Sequence, residues 1–241
     1  MQIAGFIKTS LIEWPGKISS VIFTLGCNFR CPFCHNADIV SGRRFSQIPE
    51  ERILADLKKR KKWIDAVVVT GGEPTLQADL KKFLSEIKKM EFLTMIHTNG
   101  TNPKVIANLL SCYLIDYFCI DLKGDFENYE RFTNVQFPMT NIQESLQIIV
   151  KSGVEYEFRT TVVPGLHDEK NLKKLAEQIA LILNICLPAD RLNAKWYLQQ
   201  FRPINTFDKK FLAIKPFSEE QMKVFQKEMQ KIIPLTLLRG I

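Results

Sequence analysis

Residues 21–34 read VIFTLGCNFRCPFC, an apolar run that passes directly into a loop with three cysteines. The run is short and continuous, which is typical of a β-strand buried on both faces. Three residues separate Cys27 from Cys31, and two separate Cys31 from Cys34. Thiolates are ligands of zinc and of iron–sulfur clusters, and a closed Cys₄ site uses four of them. Three cysteines on one loop therefore predict a metal centre with one position left for another ligand.

Further apolar runs follow this one, separated by stretches with helical periodicity. The predicted strands are Ser20–Leu25, Asp65–Val69, Phe92–His97, Ile115–Asp121, Val154–Val163 and Ala194–Phe201. Strands that alternate with helices over short connections predict a parallel sheet covered by helices. Six βα units are too few for a closed eight-stranded barrel. A partly open barrel and an open doubly wound sheet are the two remaining architectures.

The helices are predicted from apolar stripes at steps of three and four residues. The clearest stripes are Leu76, Leu80, Phe83, Leu84, Ile87 and Met90, and Leu172, Leu175, Ala176, Ile179, Ile182 and Leu183. Weaker patterns cover Pro49–Trp63, Pro103–Cys112, Asn141–Ser152 and Ser218–Lys231. These helices are expected to cover the sheet.

Polar and glycine-containing segments fall at the predicted carboxyl ends of the strands. They are Gly26–Cys27, Thr70–Pro74, Thr98–Gly100, Asp121–Gly124, Arg159, Pro164–Gly165, and Gln199, Gln200 and Arg202. In both architectures the active site lies at this edge of the sheet. We therefore expect residues that are distant in sequence to meet at one mouth beside the cysteine loop.

The chain has 241 residues, of which 46% are hydrophobic, and no linker or internal repeat divides it. We expect one domain over 1–241, with an N-terminal extension at 1–19, βα units at 20–205 and a C-terminal helix and strand at 206–241. In the extension, Glu13-Trp14-Pro15-Gly16 predicts a turn. The first residues lack the features of a secretory signal, and no apolar run reaches membrane-spanning length. We therefore expect a cytoplasmic location and no membrane contact.

Neither the net charge of +7 nor the three cysteines outside the loop is interpreted as part of a binding site. Lysines concentrate in helical segments such as 58–62, which indicates solvated helix faces. Aromatic and basic residues do not interleave in the way that is typical of base-stacking surfaces, so nucleic acid is not an expected partner. Cys112, Cys119 and Cys186 are isolated in the sequence and are expected to be buried.

The chain resembles the radical S-adenosylmethionine (SAM) superfamily over nearly its whole length. The cysteine loop with an aromatic residue before its third cysteine, the segment Gly71-Gly72-Glu73-Pro74 and the βα units occur in the order of that superfamily. Within it, LIEWPG at 11–16, GCNFRCPFCHN at 26–36 and DLK at 121–123 are similar to the glycyl-radical-enzyme activating proteins. The resemblance favours an α/β fold with a partial (β/α)₆ TIM-type barrel, a mostly parallel sheet with outer helices.

The resemblance implies two cofactors and a radical reaction. Cys27, Cys31 and Cys34 would hold one [4Fe–4S] cluster, whose fourth iron would bind the amino and carboxylate groups of SAM. An electron from the cluster would break a carbon–sulfur bond of SAM, and the 5′-deoxyadenosyl radical would remove a glycine Cα hydrogen in a partner protein. The implied partners are a glycyl radical enzyme, first the anaerobic ribonucleoside-triphosphate (ribonucleotide) reductase, and a low-potential electron donor such as flavodoxin or ferredoxin.

The resemblance also implies a set of SAM contacts: Phe33, His35, Asn36, Gly71, Gly72, Glu73, Pro74, Asn99, Asp121, Lys123 and Arg159. Phe33 would lie against the adenine, and the glycines would let the backbone approach the amino group. Structural alternatives stay open, because Phe33 could pack in the core, and Arg159 and Lys123 could belong to an ion pair. The glycine segment could likewise be a tight turn.

Two departures from the activating proteins change the expectations. His97 stands where many of them have an acidic residue, which speaks against a monovalent cation beside SAM. No cysteine-rich insertion follows Asn36, so a single cluster is predicted.

Two alternatives to the activation of a glycyl radical enzyme stay open. A different radical SAM reaction, on another peptide, RNA or a small molecule, would use the same cofactor residues. A structural zinc site or a simple electron-transfer iron–sulfur protein would need a fourth ligand, for which Cys112, Cys119 and His97 are the candidates. The sequence lacks the motifs of serine hydrolases and of phosphate-binding loops.

Overall fold

The computed structural model describes residues 1–42, 46–186 and 194–241, and eight strands within these ranges form one sheet. They are β1 (Ile3–Ser10), β2 (Ser19–Thr24), β3 (Ala66–Gly71), β4 (Leu93–Thr98), β5 (Tyr117–Asp121), β6 (Glu155–Val162), β7 (Lys195–Gln200) and β8 (Thr236–Arg239). Neighbours in the chain are neighbours in the sheet throughout. β1 runs antiparallel to β2, and all later pairs are parallel.

The strand order decides between the two predicted architectures. A doubly wound sheet reverses its order at a switch point and carries helices on both faces. Here the order never reverses, and right-handed crossovers then place successive helices on the same face. Within the described ranges β8 does not pair with β1, so the barrel is open. The predicted partial barrel with a mostly parallel sheet and outer helices is confirmed.

Helices connect the parallel strands and cover the outer face of the sheet. They are α1 (Ala37–Ser41), α2 (Glu50–Arg60), α3 (Leu80–Lys89), α4 (Pro103–Ser111), α5 (Tyr129–Thr133), α6 (Met139–Ser152), α7 (Glu169–Cys186) and α8 (Glu219–Gln230). Turns of 3₁₀ helix occupy Pro74–Leu76 and Lys209–Ala213. The predicted helices are all present, whereas α1 and α5, of five residues each, are too short to show an apolar stripe and were not predicted.

The apolar stripes that predicted α3 and α7 are buried, except at the two ends of the α3 stripe. Leu80, Phe83, Leu84 and Ile87 face the core from α3, and the whole predicted stripe of α7 does the same. Leu76 belongs to the 3₁₀ turn and is 45% exposed, and Met90, which follows the last residue of α3, is half-buried. The amide of Leu80 donates to the carbonyl of Gln77, and this turn separates Leu76 from the start of α3.

The predicted strands correspond to β2–β7, with ends that differ by at most two residues. β1 lies in the N-terminal extension and was not predicted as a strand. It is the antiparallel edge of the sheet, and Ile7, Lys8 and Thr9 are exposed in succession, so the alternation that marks a strand is missing. α8 and β8 lie in the segment 206–241, where a helix and a strand were expected.

A small apolar cluster fills the inner face of the barrel near the amino ends of the strands. It contains Trp14, Val21, Ala66, Val68, Met95, Tyr117 and Cys119. Trp14 comes from the predicted turn, in which Lys17 N donates to Trp14 O at 3.0 Å and Gly16 has a φ of +80°. The Trp14 and Tyr117 rings lie 5.4 Å apart. This cluster closes one end of the barrel, and the opposite end forms the mouth.

Of the scattered cysteines, Cys119 is buried as predicted. The prediction of burial is wrong for Cys112, which is exposed just after α4, and Cys186 at the end of α7 is half-buried. Both lie at the ends of outer helices, where packing against the sheet stops. Among the helices in the described ranges, none combines the length and the apolar character needed to cross a membrane.

Candidate functional site

The predicted site residues meet at the carboxyl ends of the parallel strands. The cysteine loop follows β2, the segment Gly71–Pro74 begins at the end of β3, Asn99 follows β4, and Asp121 ends β5. Arg159 on β6 is the register partner of Asp121. All predicted site residues are buried or half-buried except His35, which is exposed as a residue. The topology therefore brings these segments to one mouth, as expected.

Hydrogen bonds hold the cysteine loop in a defined shape. The amide of Cys34 donates to Cys31 O at 3.0 Å, and the amide of Phe29 donates to Cys27 Sγ at 3.4 Å. The Arg30 guanidinium donates to the carbonyl oxygens of Cys27 and Phe29, at 2.5 and 2.8 Å. These hydrogen bonds within the loop hold the three cysteines close together in space.

Burial governs the protonation of the thiols. It raises the pKa of Cys27 to about 11 and that of Cys31 to about 12, and it also raises the pKa of Cys34. The bare thiols are therefore protonated at neutral pH, and a metal has to displace those protons when it binds. The Lys123 ammonium lowers the pKa of all three thiols and so favours the ligating thiolates.

The positions of the candidate zinc ligands can be compared with the geometry that a structural zinc site requires. A tetrahedral zinc ion needs ligands that converge to about 2.0–2.3 Å from one point. Among residues 1–42, 46–186 and 194–241, no three His, Cys, Asp or Glu side chains converge in this way. Cys112 is exposed after α4, and Cys119 and His97 are register partners on β5 and β4. In a [4Fe–4S] cluster each cysteine binds a different iron, so its thiols need not converge on one atom.

Gly71 and Gly72 bring the end of β3 against the start of the cysteine loop. The amide of Gly72 donates to Thr24 O at 2.9 Å, and the amide of Glu73 donates to Gly26 O at 2.8 Å. A Cβ on Gly72 would overlap the Gly26 carbonyl, and a Cβ on Gly71 would overlap the Thr24 backbone. The glycines are therefore required for the close approach of two backbones, whatever ligand they also face.

The carboxylate of Glu73 is 1% exposed and is hydrogen-bonded inside the protein at both oxygens. Oε1 accepts from the hydroxyls of Thr75 and Thr98, at 2.6 and 2.8 Å, and Oε2 accepts from the amide of Asn99 at 2.7 Å. Burial raises the pKa of Glu73, and these donors oppose the shift. The side chain of Glu73 thus joins the ends of β3 and β4.

The residues around the third cysteine differ in their surroundings. Phe33 is buried, and its ring lies 6.5 Å from the His167 ring in an edge-on arrangement, so it takes part in packing. The Asn36 amide donates to Gly71 O at 3.2 Å. His35 is exposed as a residue, yet partial burial of its ring lowers its pKa, and its carbonyl accepts from Asn205 at 3.4 Å. Asn36 and Phe33 therefore connect the cysteine loop to neighbouring strand ends, whereas His35 contributes its backbone.

Asp121 organises a polar cluster on the inner face of the mouth. Arg159 donates to both carboxylate oxygens, at 2.7 and 3.2 Å, and Lys123 Nζ lies 3.3 Å from Asp121 Oδ2. Burial alone would raise the pKa of Asp121, but Arg159 and Lys123 outweigh it and hold the pKa well below its usual range. The ion pair that the sequence left as an alternative is therefore present.

His97 lies beside this cluster as a neutral ring. Burial, and next the charge of Arg159, hold its pKa well below the usual value, and its Nδ1 lies 3.2 Å from Arg159 Nη2. Because a guanidinium only donates, Nδ1 is the acceptor and Nε2 carries the proton. Nε2 is buried and has no hydrogen-bond partner within the described chain. A cation placed beside His97 would be repelled by Arg159.

Two residues of this region were missed by sequence reasoning. His167 Nδ1 accepts from the Val163 amide at 3.0 Å, and its Nε2 lies 2.9 Å from Lys123 O, so the ring joins the ends of β5 and β6. Asn28, inside the cysteine loop, accepts from the Asn99 amide at 2.8 Å. A signal for His167 was available, since the chain has three histidines and each lies at the end of a parallel strand or in the loop that follows one.

Residues 21–179, which include the cysteine loop, the glycine segment and the Asp121 cluster, match the sequence profile of the Radical SAM superfamily. The chain belongs to this superfamily. The predicted cofactors are thereby confirmed, because radical SAM proteins bind a [4Fe–4S] cluster and SAM.

Two similar proteins align with this radical SAM chain over almost its whole length. A Methanocaldococcus jannaschii protein, provisionally named a glycyl-radical enzyme activating enzyme, is 33% identical, with 99% of this chain and 96% of the relative covered. The pyruvate formate-lyase-activating enzyme of Clostridium pasteurianum is 28% identical, with 96% of this chain and 98% of that enzyme covered. The chain is thus a radical SAM enzyme whose relatives include activating enzymes, as the resemblance implied.

A solved structure gives the same fold. Streptococcus suis SuiB bound to S-adenosylmethionine superposes with a TM-score of 0.69 at 15% identity, over 91% of this chain and 50% of SuiB. The radical SAM chain therefore spans about half of the SuiB structure. At this identity the likeness concerns the fold alone.

The residues present fit the radical SAM cofactors. The thiols come from one loop with internal hydrogen bonds, and Cys27 Sγ already accepts from a backbone amide, a contact that cluster sulfurs commonly receive. Lys123 and Arg159 suit a carboxylate or hydroxyl groups, and Asp121 suits hydroxyl groups. Both types of group occur in SAM.

Proposed function

We propose that this radical SAM enzyme activates a glycyl radical enzyme by removing the Cα hydrogen of one glycine in that protein. The observation that carries the proposal is the alignment with two activating enzymes over at least 96% of every chain involved. We further propose that residues 1–241 form a single radical SAM domain, supported by the one sheet that runs from Ile3 to Arg239.

In the proposed site each group of residues has a separate task. When bound, the cluster and SAM supply a 5′-deoxyadenosyl radical that removes hydrogen from an unactivated carbon. Cys27, Cys31 and Cys34 hold the cluster beside the mouth. Lys123 and Arg159 receive the carboxylate or hydroxyl groups of SAM, and both are oriented by the same Asp121 carboxylate. The backbone of the segment Gly71–Pro74 receives the amino group, and the Phe33 ring borders the adenine.

The open barrel supports a protein as the substrate. The unpaired edges of β8 and β1 leave a side opening within the described structure, through which a peptide loop can approach the mouth. The anaerobic ribonucleoside-triphosphate reductase is the first candidate partner. Pyruvate formate-lyase is the second, because an aligned relative is a pyruvate formate-lyase-activating enzyme. We propose flavodoxin or ferredoxin as the electron donor, and the cytoplasm, where thiols stay reduced, as the location.

The test is glycyl radical formation in a reconstituted system. The anaerobically reconstituted enzyme is mixed with reductant, SAM and each candidate partner, and the partner is examined by EPR. A glycine-centred doublet on one partner, absent with Cys34→Ala enzyme, is the expected result. SAM cleavage without this signal on either partner would overturn the activating function and leave a radical SAM reaction on another peptide, RNA or a small molecule.

A further inference from the structure

The Asn99 side chain, 5% exposed, has all its hydrogen-bonding positions filled from inside the protein. Its Oδ1 accepts from the amide and the hydroxyl of Thr101, at 3.0 and 2.7 Å. Its Nδ2 donates to Asn28 Oδ1 at 2.8 Å and contacts Cys27 Sγ at 3.9 Å. A primary amide offers two protons and two lone pairs, so this side chain has no position left for SAM.

Among the contacts of the Asn99 side chain, the one with Cys27 involves a residue that we propose binds the cluster. The same sulfur accepts from the amide of Phe29 at 3.4 Å, so two N–H groups point at one thiol. Asn28 orients the second of these groups, because its Oδ1 takes one proton of the Asn99 amide and leaves the other directed toward the sulfur.

The position of Asn99 is fixed by its neighbours. Glu73 Oε2 accepts from its backbone amide at 2.7 Å, and Thr101 also accepts from the Asn28 side chain at 2.9 Å, which closes a ring of three side chains. Turning the Asn99 side chain toward a ligand would break several hydrogen bonds of about 1 kcal/mol each. The amide is therefore held at the sulfur whether or not SAM is bound.

We propose that Asn99 acts on the iron–sulfur cluster through the sulfur of Cys27 and makes the cluster easier to reduce. Hydrogen bonds to ligand sulfurs stabilise the extra negative charge of the reduced cluster and so raise its reduction potential. Asn99 is then a positioning residue and not the SAM contact that the resemblance implied. The proposal concerns the cluster that every radical SAM reaction uses, so it does not depend on the glycyl partner.

The test is a redox titration of the reconstituted enzyme, followed by EPR in the absence of SAM. Asn99→Ala removes the amide, and Asn99→Asp keeps the shape of the side chain and its acceptor toward Thr101 while losing the donor. Asn102→Ala and Asn102→Asp are matched controls in the same loop, since the Asn102 amide donates to Thr75 and not to a cysteine. Iron content and SAM affinity are measured for each variant.

The expected result is a selective change in the potential. At the potential where half of the wild-type clusters are reduced, Asn99→Ala has a ratio of reduced to oxidised cluster that is about tenfold lower, a midpoint shift of 59 mV for one electron. Asn99→Asp shifts further in the same direction because of its added negative charge. The Asn102 variants stay close to the wild type, and SAM affinity is kept in Asn99→Ala.

Three results would overturn the proposal. The first is an unchanged potential in both Asn99 variants. The second is a tenfold loss of SAM affinity without a shift in potential, which would restore Asn99 as a SAM contact. The third is loss of iron from Asn99→Asp while the Asn102 variants keep theirs, which would assign Asn99 a purely structural role. None of these measurements requires the glycyl partner, so failure here is distinguishable from failure of the activating function.

Discussion

Arg159 and Asp121 form a two-point ion pair across β5 and β6, with Nε–Oδ1 at 2.7 Å and Nη2–Oδ2 at 3.2 Å. The register places the two residues side by side where both strands reach the mouth. Lys123 shares the same carboxylate, and all three side chains stay partly exposed toward the mouth. A single carboxylate therefore orients two cations in the region where SAM is expected.

Asp121→Asn is expected to weaken both the fold and the binding of SAM. Loss of the carboxylate leaves the Arg159 and Lys123 cations without their partner, and charged hydrogen bonds of this kind contribute about 1.5–3 kcal/mol. Urea unfolding measures the loss of stability, and isothermal titration measures the affinity for SAM. Asp116→Asn is the control, since Asp116 pairs with Lys88 at the opposite end of the sheet, and it should lose stability while keeping SAM affinity. Equal SAM affinity in both variants would contradict the assigned role.

The ion pair between Asp121 and Arg159 also determines how the free energy of unfolding depends on pH under acidic conditions. Because the pKa of Asp121 is held below its usual range in the folded state, its contribution is fully present above the unfolded value of about 3.9 and is lost only as the pH falls below that value. The difference in unfolding free energy between wild type and Asp121→Asn should therefore be constant between pH 5 and pH 7, as urea titrations at several pH values would measure.

His167 is expected to destabilise the protein as the pH falls from 6.5 to 4. Burial lowers its pKa to about 4, so over this range the unfolded chain binds a proton that the folded chain does not. The resulting loss reaches about 3 kcal/mol by pH 4. His167→Gln can still donate and accept in this position but does not titrate. Urea unfolding of both proteins should give curves that diverge toward acid, and parallel curves would contradict the buried neutral histidine.

Cys34→Ala is expected to abolish stable cluster binding, because two thiolates from the loop would have to hold the cluster that we propose is held by three. Iron analysis after anaerobic reconstitution should find about four irons per chain in the wild type and a small fraction of this in the variant. Cys112→Ala is the matched control, since Cys112 is exposed after α4, away from the loop. Loss of iron from Cys112→Ala, or its retention in Cys34→Ala, would contradict the ligand assignment.

Arg239→Ala is expected to destabilise the barrel. Arg239 on β8 donates to Glu157 at 2.8 Å, and Glu157 is 1% exposed, so the variant leaves a buried carboxylate supported mainly by the Tyr117 hydroxyl. Breaking a buried ion pair in this way costs about 3–5 kcal/mol, as urea unfolding would measure. The double variant Glu157→Leu with Arg239→Met should recover much of the loss, because no buried charge remains. A double variant as unstable as the single one would show that the pair is not the cause.

The parts of the structure that sequence predicted best are those with a local pattern. The stripe of α7 and the strands β2–β7 could be recognised because each element buries residues at its own period, whatever the rest of the chain does. β1 and Leu76 could not be placed in this way. β1 is an edge strand with three consecutive exposed residues, Ile7 to Thr9, and Leu76 is separated from α3 by a turn whose hydrogen bond is not visible in the periodicity.

The same contrast between local patterns and long-range contacts applies to the candidate site. The cysteine spacing is a local property, and it alone indicated a three-thiol centre open to another ligand. Asp121, Glu73 and Asn99 each have one partner that is distant in sequence, namely Arg159, Thr98 and Asn28, so no local pattern could distinguish a SAM contact from an internal hydrogen bond.

By itself the sequence determined that a metal-binding loop follows the first parallel strand and that further polar segments end the later ones. The tertiary structure alone decided what those polar groups contact, because contacts between strand ends depend on register and curvature. Thus Gly72 is required by the Gly26 backbone, Asp121 is paired with Arg159, and the Asn99 amide is directed at Cys27. Each of these contacts joins residues that lie in, or just after, different strands, and only the folded sheet brings them within hydrogen-bonding or van der Waals distance.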